Sequence, residues 1–277
     1  MTSEDRSALL AALAWQVDLG ADETIADAPI DRFASAALPP RPGDARAPAT
    51  APRARPAATG APADARPAPQ PATEPPASAE IAARATTLTD LADAMRGWEG
   101  SELRKGARNL VFSDGIPGAR IMVIGEAPGA EEDRTGKPFV GRAGQLLDRM
   151  LAAIGLSRTA DDPATAVYIT NILPWRPPGN RTPSEIEARA FLPFVERHIA
   201  LAAPDVILSL GNTPTKALLA TGTGIKRMRG TWTEHTASGL PLLPSFHPAY
   251  LLRQPADKAL AWQDLLALKA HLEGRPQ

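Results

Sequence analysis

Arg120-Ile121-Met122-Val123-Ile124-Gly125-Glu126-Ala127-Pro128-Gly129 runs from an unbroken apolar stretch into a turn bracketed by two glycines. The apolar part reads as a strand over Arg120–Gly125 and the rest as the loop that ends it. Working outward, strand and helix patterns alternate. Helices are expected at Thr87–Trp98, Gly141–Gly155, Pro183–Ala202, Pro214–Ala220 and Ala256–Leu272, the third opened by its proline. Strands are expected at Ala166–Asn171, Asp205–Gly211 and Leu240–Ser245. Strands separated by helices imply an α/β fold, a three-layer α/β/α sandwich around a mainly parallel sheet. In such sheets ligands bind outside the carboxyl ends of the strands. Three further segments fall at loops of this kind: Pro138-Phe139-Val140-Gly141, Ile169-Thr170-Asn171 and Phe246-His247-Pro248-Ala249-Tyr250. One edge then gathers a carboxylate, an aromatic face, an amide and an imidazole, which suits holding a flat heterocycle and breaking a bond to it.

Thirteen of the 29 prolines lie before residue 80, mixed with Ala, Arg and Asp. Such a stretch has few side chains able to bury apolar surface, so residues 25–84 are expected to be a disordered linker. Before it, Leu9, Leu13 and Val17 stand at helical spacing, with Leu10 beside them, marking a short amphipathic segment within residues 1–24. Residues 85–277 are ample for one compact domain. From residue 85 onward 22 Lys and Arg face 20 Asp and Glu, so a nucleic-acid partner would need a local basic rim rather than a global field. There is no cysteine, which excludes disulfides, thiolate metal sites and cysteine nucleophiles. No apolar run is long enough to cross a bilayer and the N-terminus lacks a signal pattern, so a soluble cytoplasmic protein is expected.

Each candidate residue also has a plainer reading. The Gly125–Gly129 loop matches neither the Walker pattern nor the dinucleotide fingerprint, and a strand-to-loop turn with a surface Glu126 explains it equally well. A loop phenylalanine such as Phe139 serves either as a plug over the core or as a stacking platform for a base. Asn171 fits a cap or turn, yet a buried amide offers a donor and an acceptor together, as the imide edge of uracil requires. His247, before Pro248, is held towards an extended backbone and is otherwise an ordinary loop imidazole.

Longer motifs narrow the choice. Gly125 to Asp133, followed by Gly136-Lys137-Pro138-Phe139-Val140-Gly141-Arg142-Ala143-Gly144-Gln145-Leu146-Leu147-Asp148, resembles the first motif of the family 4 uracil-DNA glycosylases. Tyr168-Ile169-Thr170-Asn171 with Arg176-Pro177-Pro178-Gly179-Asn180-Arg181 resembles the second, and Leu243 to Arg253 the last. The resemblance covers nearly everything from Trp98 to Leu272. It implies removal of uracil from DNA to leave an abasic site. Glu126 and His247 would be the catalytic pair, and Phe139, Asn171 and Glu132 would hold the base, with Glu132 beside uracil C5. Arg229, Leu252 and Arg253 would meet DNA. Leu251, Leu252 and Arg253 follow the histidine loop and are the candidates to enter the gap left by the flipped base, with Leu251 equally suited to begin the packing of the final helix. Lys226 and Arg227 are further phosphate candidates. Where other uracil glycosylases carry a water-activating aspartate this chain has Ala127, which leaves Glu126 as the carboxylate for water or the cationic sugar.

Family 4 enzymes ordinarily hold an iron–sulfur cluster on four cysteines. The resemblance places those ligand positions at Trp98, Ser101, Trp175 and Phe191, so no metal or other cofactor is expected. A relative that traps DNA covalently uses a histidine in the loop after the second motif. The loop from Pro174 to Pro183 has none, so turnover is expected. The partners implied are uracil-containing DNA and a replication or repair protein met through the N-terminal segment, with the enzyme a monomer working at the bacterial nucleoid. A damaged-base binder without catalysis, a glycosylase of broader deaminated-base range and a hydrolase of free nucleosides are the competing readings.

Overall fold

The computed structural model describes residues 76–274. The amphipathic segment around Leu9–Val17 and the linker up to residue 75 lie outside the described residues. The described chain begins with α1 (Pro76–Arg84) and α2 (Leu88–Gly97), then the single turn α3 (Leu103–Gly106). A two-residue strand β1 (Asp114–Gly115) precedes β2 (Ile121–Gly125), α4 (Ala130–Thr135), α5 (Arg142–Ala152) and β3 (Val167–Asn171). Then come α6 (Glu185–Ala202), β4 (Val206–Leu210), α7 (Asn212–Leu218), α8 (Ile225–Met228) and β5 (Thr233–Glu234). The chain closes with β6 (Pro241–Ser245), α9 (Pro248–Arg253) and α10 (Lys258–Leu272).

The sheet order is β1-β3-β2-β4-β6-β5. The four inner strands are parallel and the two edge strands pair antiparallel. Every residue of β2, β3 and β4 is buried, because helices cover both faces of the sheet. Alternate strand residues serve two cores. Met122, Ile124, Tyr168 and Ile207 face α2 and α6, while Ile121, Val123, Ile169 and Leu208 face Leu147 and Leu151 of α5 and Leu265 and Leu268 of α10. The chain leaves central β2 for β3 on one side and then crosses to β4 on the other. That reversal opens a crevice at the carboxyl end of β2.

Two expectations need correction. Residues 76–84 form a helix rather than linker. Pro76 stands at its first position and the following Ala-rich run is the best helix former available. Ala82 is buried, and Arg197 of α6 donates from Nε and Nη2 to the Ala85 carbonyl at 2.8 and 2.7 Å. The folded unit therefore starts before residue 85. Second, α6 is opened by Ser184 and not by Pro183. The Ser184 hydroxyl accepts from the Glu187 N–H, and Glu187 accepts back from the Ser184 N–H. Bidentate pairing with Arg181 holds the Glu187 carboxyl down at about 2. The edge strands β1 and β5 are too short to leave any periodicity in the sequence. Among the described residues no helix is long and apolar enough to cross a membrane.

Removing residues 1–75 should leave the melting temperature of the domain unchanged. Removing residues 1–84 should lower stability by about 1.5–3 kcal/mol, the worth of the apolar surface that Ile81 and Ala82 of α1 bury against the core. Thermal melts of the two truncations check this, and equal melting temperatures would place the domain boundary back at residue 85.

Candidate active site

The central strands deliver their last residues to one place. Gly125 of β2 lies directly opposite Asn171 of β3 in the parallel register. A Cβ on Gly125 would stand 2.4 Å from both Asn171 Oδ1 and Phe139 Cζ. Only glycine lets the amide and the phenyl ring approach this strand end together. Around them opens a cleft of about 540 Å³ whose walls include Glu126, Phe139, Asn171, His247 and Arg253. The four strand-end segments therefore converge as the sequence implied.

Asn171 is 5% exposed, and its Oδ1 is a buried acceptor with no hydrogen-bond partner. Among the described residues only Trp232 Nε1 shares that condition. A buried amide oxygen without a donor is costly, by about 1–3 kcal/mol, and a ligand that supplies an N–H recovers it.

Phe139 is buried, and its ring stacks near the His247 imidazole with centroids 5.4 Å apart. Its φ of 54° is a left-handed conformation that a bulky residue adopts at a cost of about 1–3 kcal/mol. Arg158, just after the helix α5, holds it there. Its Nη1 and Nη2 donate to the carbonyls of Pro138 and Phe139, both at 2.9 Å, while Asp148 and Asp114 neutralise it from behind. A Cβ on Gly144 would fall 1.7 Å from the Phe139 carbonyl, so the first turn of α5 is also shaped for this loop.

His247 is the N-cap of α9. Its Nδ1 accepts from the Ala249 N–H at 3.1 Å, and Pro248 occupies the first helical position. Burial of the ring pushes its pKa down to about 4, helped by the charge of Arg253 and opposed by Glu132. The imidazole is thus neutral at physiological pH. With Nδ1 accepting, its proton sits on Nε2.

Glu126 follows β2, and its Oε2 accepts from the Thr213 hydroxyl at 2.8 Å, at the start of α7. Thr213 was not foreseen. Only a polar residue just beyond a strand end pointed to it, and helix patterns have many of those. Glu132 lines the cleft, but both its carboxylate oxygens serve backbone groups. Oε1 accepts from Val140 and Gly141 at 2.9 and 2.8 Å, and Oε2 accepts from Gly129 at 3.1 Å. Its carboxylate is a brace between the two halves of the first motif rather than a group extended towards a base.

Arg229 also departs from expectation. Its guanidinium pairs with Asp264 of α10 through Nε and Nη2, and Nη2 donates to the Leu260 carbonyl at 2.7 Å, so the fold itself already neutralises its charge. Lys226 of the same loop is the exposed cation that reaches the cleft. Arg253 is exposed at the rim, and Leu252 is half-buried against the cluster of Phe246 and Leu251. Leu251 itself is core.

The four positions that the resemblance assigns to cluster ligands hold three buried rings, Trp98, Trp175 and Phe191, and the polar Ser101. Trp98 meets Phe191 edge-on at 5.0 Å and Phe194 at 5.3 Å, and Trp175 is buried in the same core. The Ser101 hydroxyl accepts from the Leu103 N–H. Rings and one hydroxyl offer no thiolate, so these residues do not fit an iron–sulfur cluster.

A family model described as the uracil DNA glycosylase superfamily matches residues 112–266, and the chain belongs to that superfamily. Within it, the chain is similar to proteins named type-4 uracil-DNA glycosylase. It is 38% identical to that of Saccharolobus solfataricus over 193 residues, which is 67% of this chain and 87% of the relative. It is 40% identical to that of Thermotoga maritima over 151 residues, 54% of this chain and 75% of the relative. It is 35% identical to that of Pyrobaculum aerophilum over 184 residues, 64% and 91% of the two chains.

Two histidines with lowered pKa, buried His198 and half-buried His247, set an acid limit on the fold. Burial holds His198 at about 3 and His247 at about 4, against an ordinary value of 6.5. Below pH 6.5 the unfolded chain takes up protons that the native chain refuses, so stability is full above pH 6.5 and falls with pH towards those native values. The slope approaches about 1.4 kcal/mol per pH unit for each histidine. Urea midpoints at pH 7.5 and pH 5 should therefore differ, and His198→Asn should flatten part of the difference. Equal midpoints in the wild type would contradict the lowered pKa of both rings.

Proposed function

We propose that this protein is a DNA repair glycosylase that hydrolyses the bond between uracil and deoxyribose, leaving an abasic site. The observation that carries this reading is the unpartnered Oδ1 of Asn171 beside the Phe139 ring. A uracil stacked on Phe139 presents N3–H to Oδ1 and O4 to the Asn171 amide N–H. Cytosine presents the reverse pattern, which a site of this kind rejects by roughly 10⁴–10⁵-fold. The base reaches the cleft only after leaving the stack, because its glycosidic bond is inaccessible within a duplex.

As the N1–C1′ bond breaks, its electron pair passes to uracil and the sugar gains cationic character. His247 Nε2–H donates to O2 of the departing anion. A neutral donor suits this role, since it stabilises the anion without repelling the sugar cation. Glu126, held by Thr213, supplies negative charge near the sugar and orients the water that adds to C1′. That water gives up a proton as the abasic sugar forms, and the departed uracil anion takes up a proton, so that neutral uracil is released. Lys226 and Arg253 at the rim meet phosphates, and the exposed part of Leu252 fills the gap in the stack. Since Trp98, Ser101, Trp175 and Phe191 cannot ligate iron, no step depends on a cluster.

Single-turnover release of uracil from a duplex with one U·G pair tests the reading. Wild-type protein should release uracil at undiminished rate in excess chelator. Asn171→Ala and His247→Ala should each slow release about 10²–10³-fold while DNA binding persists. A wild-type protein that binds the duplex tightly without releasing base would instead be a damage sensor.

A further inference from the structure

Behind the histidine loop, three segments distant in sequence meet at one carboxylate. Asp264 of α10 is wholly buried, with none of its side chain exposed. Arg229, at the end of α8, grips it through Nε at 3.1 Å and through Nη2. The Ser245 hydroxyl, on the last residue of β6, donates to Asp264 Oδ2 at 2.6 Å. The Arg229 guanidinium also lies 5.7 Å from the centre of the Phe246 ring. Backbone bonds reinforce the same point. Gly230 N–H donates to the Pro244 carbonyl, and Gly211 N–H donates to the Ser245 carbonyl, both at 2.9 Å. Ser245 and Phe246 lead directly into His247.

Such a buried ion pair is a poor way to stabilise a fold, since desolvating both charges offsets most of their attraction. What it does supply is a fixed geometry. The His247 ring takes its position from the backbone that Ser245 and Phe246 enter by, and from the N-cap bond to Ala249 beyond it. A donor aimed at a developing charge works only if it is held within about 0.5 Å of its productive place. We propose that Asp264, clamped by Arg229, is a positioning residue that fixes Ser245 and Phe246 so that His247 Nε2–H is already aimed at the leaving base. The role of His247 in this statement rests on the glycosylase reading given above. The position of the ring does not.

The test uses full-length protein and three variants. Ser245→Ala removes one hydrogen bond and nothing else, Asp264→Asn keeps the shape and removes the charge, and Ser245→Thr retains the hydroxyl. Nitrogen NMR of the imidazoles in the absence of DNA reads the His247 tautomer. Single-turnover uracil release and DNA affinity read the consequence. In the wild type the proton should reside on Nε2 alone. In Ser245→Ala and Asp264→Asn the Nδ1 and Nε2 tautomers should mix, and release should slow about 10- to 100-fold with DNA affinity unchanged within about twofold. Ser245→Thr should restore both readouts. Should Asp264→Asn fail to fold, Ser245→Ala alone decides. Wild-type tautomer and rate in a folded Ser245→Ala variant would overturn the proposal, and so would a variant that lost stability without altering His247. If wild-type protein releases no uracil, the glycosylase reading fails, and the tautomer measurement still decides whether the clamp sets the ring.

Discussion

The parallel pairing of β2 with β3 and β4 is the constraint on which everything else depends. The register that sets Ile121 against Val167 also sets Gly125 against Asn171, and on the other flank it runs Ile124 against Ser209. Three strands thus end at nearly the same height, each handing over to a loop that carries chemistry. A slip of one residue would turn every buried side chain to the opposite core. It would also move the Asn171 amide away from the gap that Gly125 leaves for it. Packing of the two cores and assembly of the cleft are therefore one event.

Much of this was legible because the inner strands are short, predominantly apolar and bounded by Gly, Pro or polar residues. Their ends could be placed within a residue, and with them Glu126, Phe139, Asn171 and His247. What sequence could not supply was the identity of the partners each polar group chose. Arg229 sits in a basic run that looks like a phosphate contact, yet the buried Asp264 thirty-five residues later claims it. Glu132 lines the cleft, and what sequence did not disclose is that its carboxylate also braces Gly129, Val140 and Gly141. Thr213 and Arg158 were overlooked because a hydroxyl and a guanidinium carry no positional pattern of their own. The boundary at residue 85 erred because a proline-rich composition was extended over an Ala-rich run that folds once α6 is there to receive it.

Ring packing holds segments that are distant in sequence together on this side of the sheet. Trp98, Trp175, Phe191 and Phe194 join them through buried area, with Phe191 and Phe194 wholly buried. Dispersion and burial of this kind scale with fit, so the region tolerates change only where volume is conserved. His198 belongs to the same side of the sheet. It stacks on Phe112 at 4.3 Å and shares a hydrogen bond with Tyr168. Burial raises the Tyr168 phenol to about 12.

Arg158 gives the aromatic wall an unusual kind of ownership. The plane against which a base would lie belongs to Phe139, but its tilt belongs to a guanidinium on the far side of the loop. The left-handed backbone at Phe139 acts as a loaded hinge, and Arg158 is its latch. The orientation of the Phe139 ring in the cleft is thereby set by a residue on the far side of its loop. Two walls of the cleft are thus set by separate means: the Asn171 amide by the register of β2 against β3, and the Phe139 ring by Arg158.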